Sequence, residues 1–197
     1  MQNTFEQQLT ESGKVLNQIT ENKDIQKTTL RVIQKIIDCF ASGNKVLFCG
    51  NGGSAAEAQH LAAELSGKFK MNRRPLPAEA CHLNLSFLTA VSNDYDFSRT
   101  YERYLEAFGK KGDVIIGLTT SGNSENIVKA FKAGTALGLT TVALTGNSGG
   151  NIKEYSDFLI NVPSDNVPRI QEMHLLIGHI ICETVEKEIF GNDQPKQ

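Results

Sequence analysis

"FCGNGGSAAEAQHLAAEL", residues 48–65, decides the fold of this chain. Its first residues complete an apolar run, "KVLFCG" at 45–50, that a glycine ends; Asn51-Gly52-Gly53 then turns the chain, and Ser54 opens an alanine-rich helical stretch. An apolar run that is continuous rather than alternating fits a strand covered on both faces of a parallel sheet. Three more such runs follow, "DVIIGLTT" at 113–120, "TTVALTG" at 140–146 and "DFLINVP" at 157–163, separated by helical stretches over 97–108, 124–137 and 167–190. Strands alternating with helices predict an open α/β sheet with right-handed crossovers and helices on both faces. "LPAEACHLN" at 76–84 reads as a further strand and "SFLTAVSND" at 86–94 as a helix. Upstream, Phe5, Leu9, Val15, Leu16 and Ile19, then Ile25, Leu30, Ile33, Ile36, Ile37 and Phe40, recur at helical spacing on either side of "TENKD". They predict two helices in an N-terminal extension over 1–42. The polar tail 191–197, "GNDQPKQ", is expected to fray.

A chain of 197 residues with 40% hydrophobic content suits one compact domain. Its 20 Lys+Arg against 22 Asp+Glu leave no electrostatic footprint for nucleic acid or an anionic membrane. No stretch approaches the roughly 20 apolar residues that span a bilayer, and "MQNTFEQQLTESGK" lacks the pattern of an export signal. Cys39, Cys49, Cys81 and Cys182 are scattered without a C-x-x-C pair, as expected of reduced thiols in a cytoplasmic protein. "KFKMNRRP" at 68–75 is short and holds one aromatic residue, so it reads as a solvated loop or subunit contact rather than a nucleic-acid patch.

One local design occurs twice: a strand, a glycine turn and a serine opening a helix, as "CGNGGSAAEA" at 49–58 and "TTSGNSENIVKA" at 119–130. Both turns fall at carboxyl ends of parallel strands, where open α/β sheets bind ligands. Free N–H groups and the helix dipole there favour an anion, phosphate being the natural one. Ser54-Ala55-Ala56-Glu57 reads equally as a capping box. Neither turn has the G-x-G-x-x-G spacing or the lysine of a P-loop. Thr119, Thr120, Ser121 and Ser124 supply hydroxyls that can satisfy phosphate oxygens without a basic residue.

His60 and Glu64, four apart, share one helix face. In the last helix Gln171, His174 and His179 recur, and eight residues turn about 800°, which returns Gln171 and His179 to within roughly 80° of one face. If these helices pack side by side, His60, Glu64, Gln171 and His179 converge. His179 lies inside "LLIGHIIC", where it is expected to be buried and to need a partner. Such a group can hold a divalent metal such as zinc, or move protons directly; spacing does not separate the two. His82 reads as a structural histidine and His174, one turn from Gln171, as an outer partner of the site.

"CGNGGSAAEAQHLAAEL", "AVSNDYDF", "GDVIIGLTTSGNSENIVKA", "TVALTGNSGG" and "RIQEMHLLIGHII" together resemble the sugar isomerase (SIS) family and, within it, the phosphoheptose isomerases, over nearly the whole chain. The resemblance implies a flavodoxin-like α/β fold in a single SIS domain and a homotetramer with active sites at subunit contacts. It implies conversion of sedoheptulose 7-phosphate into D-glycero-D-manno-heptose 7-phosphate, an early step toward nucleotide-activated heptose for surface polysaccharide such as lipopolysaccharide. Carried onto this sequence, substrate contacts fall on Asn51, Gly52, Gly53, Ser54, Glu64, Asn93, Asp94, Thr119, Thr120, Ser121, Ser124 and Gln171. One zinc ion per subunit falls on His60, Glu64, Gln171 and His179, with Glu64 and His179 also the acid–base pair. Pro168 stands where some members carry an aspartate before Arg-Ile-Gln. Two alternatives share the fold. A non-catalytic relative that binds the bacterial replication initiator lacks the glutamate and the terminal histidine, both present here as Glu64 and His179. Isomerases of other sugar phosphates share the phosphate turn but match the last helix less well.

Overall fold

The structure, a computed structural model, describes residues 2–191. Helices α1 (Gln2–Glu21) and α2 (Lys23–Ala41) meet at Asn22, whose side chain accepts from the N–H groups of Asp24 and Ile25 at 3.0 and 3.1 Å. Such a cap satisfies donors that a helix start leaves free. There follow β1 (Val46–Gly50), α3 (Gly53–Ser66), β2 (Ala78–Ala80), α4 (Leu85–Asp94), α5 (Thr100–Phe108), β3 (Val114–Thr119), α6 (Glu125–Leu137), β4 (Thr140–Thr145), β5 (Phe158–Asn161) and α7 (Val167–Phe190).

The five strands pair in parallel in the order β2-β1-β3-β4-β5. From β1 the chain steps outward to β2, then returns across β1 to β3, so the direction of winding reverses between β1 and β3. This is the flavodoxin-like order, and the crevice at the carboxyl ends of β1 and β3 is its ligand-binding switch point. Both glycine turns flank that crevice. Strands β1 and β3 are buried throughout because each sheet face carries its own core. On one face Phe48, Ile116 and Val142 meet Val32, Ile36, Leu61 and Ile177 of α2, α3 and α7. On the other, Leu47, Ile115 and Ala143 meet Leu105, Ile127 and Phe131 of α5 and α6. Neighbouring strand residues go to opposite faces, as the pleat requires.

The two helices expected over 1–42 form, with uneven burial, and two other expectations are revised. Val15 and Ile19 are buried, but Phe5 and Leu9 of α1 and Leu30 of α2 are 67%, 60% and 62% exposed, so the apolar stripes of the two N-terminal helices are covered only in part. The strand over 76–84 shrinks to Ala78–Ala80: Pro75 and Pro77 before it cannot donate to a ladder, and after it a turn at Cys81 and His82 leads to Asn84, the cap of α4. The helix over 97–108 opens with a separate 3₁₀ turn, Phe97–Arg99, after Asp96 accepts from the N–H of Ser98 at 2.7 Å. Of the tail expected to fray, residues 192–197 lie outside the described part. Among the described residues no helix is long and apolar enough to cross a membrane, and the four cysteines are buried and free.

Candidate active site

Helices α3 and α7 run side by side in parallel, Ser54 facing Gln171, Leu61 facing Gly178 and His60 facing His179. Gly178 permits the approach: a Cβ there would lie 2.5 Å from Cδ1 of Leu61. Where the helices meet, Nε2 of His60 stands 2.8 Å from Nε2 of His179 and 3.2 Å from Oε1 of Glu64. One ligand atom from each of the three residues lies within 4.8 Å of the others. Two imidazole nitrogens this close require one to carry a proton and the other to accept it, or both lone pairs to face a cation. Ligands about 2.0–2.2 Å from a tetrahedral ion are about 3.3 Å apart, so two imidazoles and a carboxylate at these separations fit a divalent metal ion. His179 is partly exposed rather than buried as expected, and the Phe69 ring covers it with centroids 5.5 Å apart.

Gln171 stands apart from that group. Its amide donates to Oγ of Ser54 at 3.4 Å and fills the space beside Gly53, where a Cβ would fall 2.6 Å from Nε2. Eight residues of helix advance about 12 Å, which separates Gln171 from His179 along the axis although both face α3. The cap of α3 is Gly52, at φ 56°, not Ser54; Ser54 is buried inside the first turn, so the expected capping box does not form. Glu57 turns toward Ser54 instead: burial pushes its carboxyl up to about 7 against the lowering effect of the Ser54 hydroxyl, and its Oε2 is buried without a partner among the described residues.

The two turns are tied together by a pair that sequence reading missed. Asn51 donates to Oδ1 of Asn126 at 2.8 Å, and Asn126 donates back to Oδ1 of Asn51 at 2.9 Å. The Asn51 amide is thus engaged across the switch point, and its turn offers a ligand chiefly backbone N–H groups. At the second turn Oγ1 of Thr119 donates to Oγ of Ser124 at 3.3 Å, and Oγ of Ser121 accepts from the N–H of Asn123 at 3.1 Å. Thr120 and Ser121 line a cavity of about 240 Å³ with Asn147 and Asp165, while Ser124 lines a neighbouring one of about 300 Å³ with Asn51 and Asn126. The hydroxyls thus gather around the start of α6, where the free N–H groups of a helix favour an anion.

Asn93 and Asp94 are exposed at the end of α4 and bond to each other at 2.9 Å; among the described residues neither bonds to the other expected site residues. His174 is a core residue rather than an outer partner: Nε2 lies 3.2 Å from the Thr145 carbonyl, and burial pushes it down to about 4, so it is neutral near pH 7. His82 is structural as expected, partly buried with Nε2 3.1 Å from the Ala55 carbonyl and its pKa lowered by burial. Pro168 sits in the first turn of α7, where its missing N–H costs nothing. Arg73 departs from the solvated loop expected of 68–75, since it is buried against Glu186.

Residues 8–146 match the SIS domain family model. The phosphoheptose isomerase of Clostridium acetobutylicum is 47% identical over 191 residues, covering 97% of each chain. That of Akkermansia muciniphila is 53% identical over 154 residues, 78% of this chain and 82% of its own. The solved phosphoheptose isomerase structure from Neisseria gonorrhoeae superposes with a TM-score of 0.89 at 36% identity, covering 94% of this chain and 98% of that one. With its strand order, its paired glycine turns and this likeness over nearly its full length, the chain belongs to the SIS-domain family and, within it, to the phosphoheptose isomerases.

Proposed function

We propose that this chain is an aldose–ketose isomerase that converts sedoheptulose 7-phosphate into D-glycero-D-manno-heptose 7-phosphate. The observation that carries the proposal is the convergence of His60, Glu64 and His179 at the α3–α7 seam, across the switch point from a hydroxyl-rich turn. The reaction takes a proton from C1 of the ketose, passes through an enediol and returns a proton to C2. Glu64 removes the carbon proton as a carboxylate; His179 moves the proton on the other side of the enediol, an imidazole being suited to both directions near neutral pH. His60, Glu64 and His179 would hold a zinc ion, which when bound polarises the sugar oxygens; Gln171, displaced along α7, stays beside Ser54 and Gly53. Thr119, Thr120, Ser121 and Ser124 hold the phosphate, with the N–H groups at the start of α6. The Asn51-Gly52-Gly53 backbone and Ser54 face the sugar. Phosphate binding, remote from the reacting carbons, positions them.

The active assembly is a homotetramer in the cytoplasm, each chain a single SIS domain. The exposed Phe5, Leu9 and Leu30 support association, and Asn93 and Asp94 reach a site only if a neighbouring copy supplies it. The product serves the making of nucleotide-activated heptose for surface polysaccharide. Purified protein with sedoheptulose 7-phosphate, followed by NMR with chelator and then with added zinc, tests the reading. Aldose should form, disappear on chelation and return with zinc. No turnover under any metal condition would favour the non-catalytic SIS relative instead. Sedimentation velocity should give four chains.

A further inference from the structure

We infer that the buried Arg73–Glu186 pair is the positioning element of this site: it fixes the spacing of α3 and α7, and with it the approach of His60 and Glu64 to His179. The inference rests on the isomerase reading for its kinetic arm only. Glu186 lies seven residues beyond His179, two turns along the same face of α7. Its carboxylate accepts the N–H groups of Phe69, Lys70 and Met71 at 3.0, 2.8 and 2.9 Å, and Nε–H of Arg73 at 2.8 Å. The remaining guanidinium nitrogens donate to the carbonyls of Glu64, Leu65, Gly67 and Arg74 at 2.9, 2.8, 3.0 and 3.0 Å. One guanidinium therefore caps the carboxyl end of α3 at the carbonyl of Glu64 itself, where a helix leaves acceptors free. One carboxylate binds the following loop to α7. That loop carries Phe69, whose ring packs on His179.

Both side chains are only 2% exposed. Burial raises the pKa of Glu186, but the three backbone donors and Arg73 outweigh it and keep the carboxyl below its ordinary value. Stability alone does not call for charges here, because apolar residues of similar volume commonly serve as well; what a fully bonded buried pair adds is fixed geometry. Neither residue bonds to the ring nitrogens of His60 and His179 or to the Glu64 carboxylate, so their role is positioning and not catalytic.

The test uses the full chain as R73K and E186Q, with K45M as control. Lys45 pairs with Asp113 at 2.6 Å at the amino ends of β1 and β3, the opposite end of the sheet. The readouts are zinc affinity of the metal-free protein without substrate, the histidine side-chain NMR spectrum, and kcat and KM for sedoheptulose 7-phosphate. R73K and E186Q should each weaken zinc binding and lower kcat by about 10- to 100-fold, as a misplacement of reacting groups by about 1 Å can. KM should stay within about twofold, a split that marks lost transition-state stabilisation. The His60 and His179 signals should move, while K45M lowers only Tm. Variants that lose Tm alone, with zinc affinity, histidine signals and kcat as in wild type, would overturn the inference. So would failure of both to fold where K45M folds, since the pair would then be a folding element. Wild-type protein that binds zinc without isomerising the sugar would sink the isomerase reading and leave the zinc and NMR arms to decide this one.

Discussion

The two glycine turns begin alike and end in different chemistry. Each follows a fully buried parallel strand, each bends at a glycine with positive φ, Gly52 at 56° and Gly122 at 67°, and each opens a helix with free N–H groups at the switch point. The first turn has its one hydroxyl, Ser54, buried, and passes into a helix that carries His60 and Glu64 toward His179 of α7. The second gathers four hydroxyls and passes into a helix whose Ile127 and Phe131 enter an apolar core. The shared backbone supplies anion affinity at both. What divides the labour is which helix packs alongside: α3 meets the polar stripe of α7, whereas α6 meets the apolar side of α5. Anchoring belongs to the second turn and proton transfer to the helix after the first.

That division can be broken in graded ways. H179Q should lower kcat by about 10²- to 10⁴-fold, the usual worth of a general acid or base, with KM and the circular dichroism spectrum unchanged. Next in size, G178A pushes a Cβ to 2.5 Å from Leu61 and should cost about 1–3 kcal/mol in denaturant unfolding. G134A on α6 meets Ile115 at 3.3 Å, a contact offset by the gain of about 1 kcal/mol from replacing a helical glycine, and should be near neutral. If the two cost the same, the α3–α7 seam is not the tighter one. N126A unties the turns and should cost about 1 kcal/mol in Tm-derived stability while raising KM, as expected for one lost side-chain pair.

A further effect is a pH dependence. The Glu57 carboxyl rises from 4.5 unfolded to about 7 folded, so the protonated form is the one the fold prefers. Its contribution is fully present below about pH 4.5 and is lost as pH rises through about 7. Tm of wild type relative to E57Q should therefore fall between those limits and level off above them; a difference that does not vary with pH would place Glu57 in water.

The fold was legible because each strand is a continuous apolar run and each crossover a helix with its own stop. The last helix, expected over about 167–190, runs Val167–Phe190, with Pro168 in its first turn. His60, Glu64 and His179 were legible from spacing once two helices were taken to pack. Periodicity reports an apolar face but not what covers it, hence the exposed Phe5 and Leu9. It also reports angle around an axis better than distance along it, hence the displaced Gln171. The ties between Asn51 and Asn126, and between Arg73 and Glu186, join residues 75 and 113 positions apart. No local pattern in the chain marks them; the second asparagine of "GNSEN" was the one available hint.

The most direct test of the division is steady-state kinetics of E64Q and S124A side by side with sedoheptulose 7-phosphate. E64Q should lose kcat by about 10²- to 10⁴-fold with KM held. S124A should act mainly on KM, raising it about tenfold or more, as for a lost hydrogen bond to a charged group. An equal collapse of kcat in both variants, or E64Q turning over at the wild-type rate, would contradict the assignment of anchoring to one turn and proton transfer to the other.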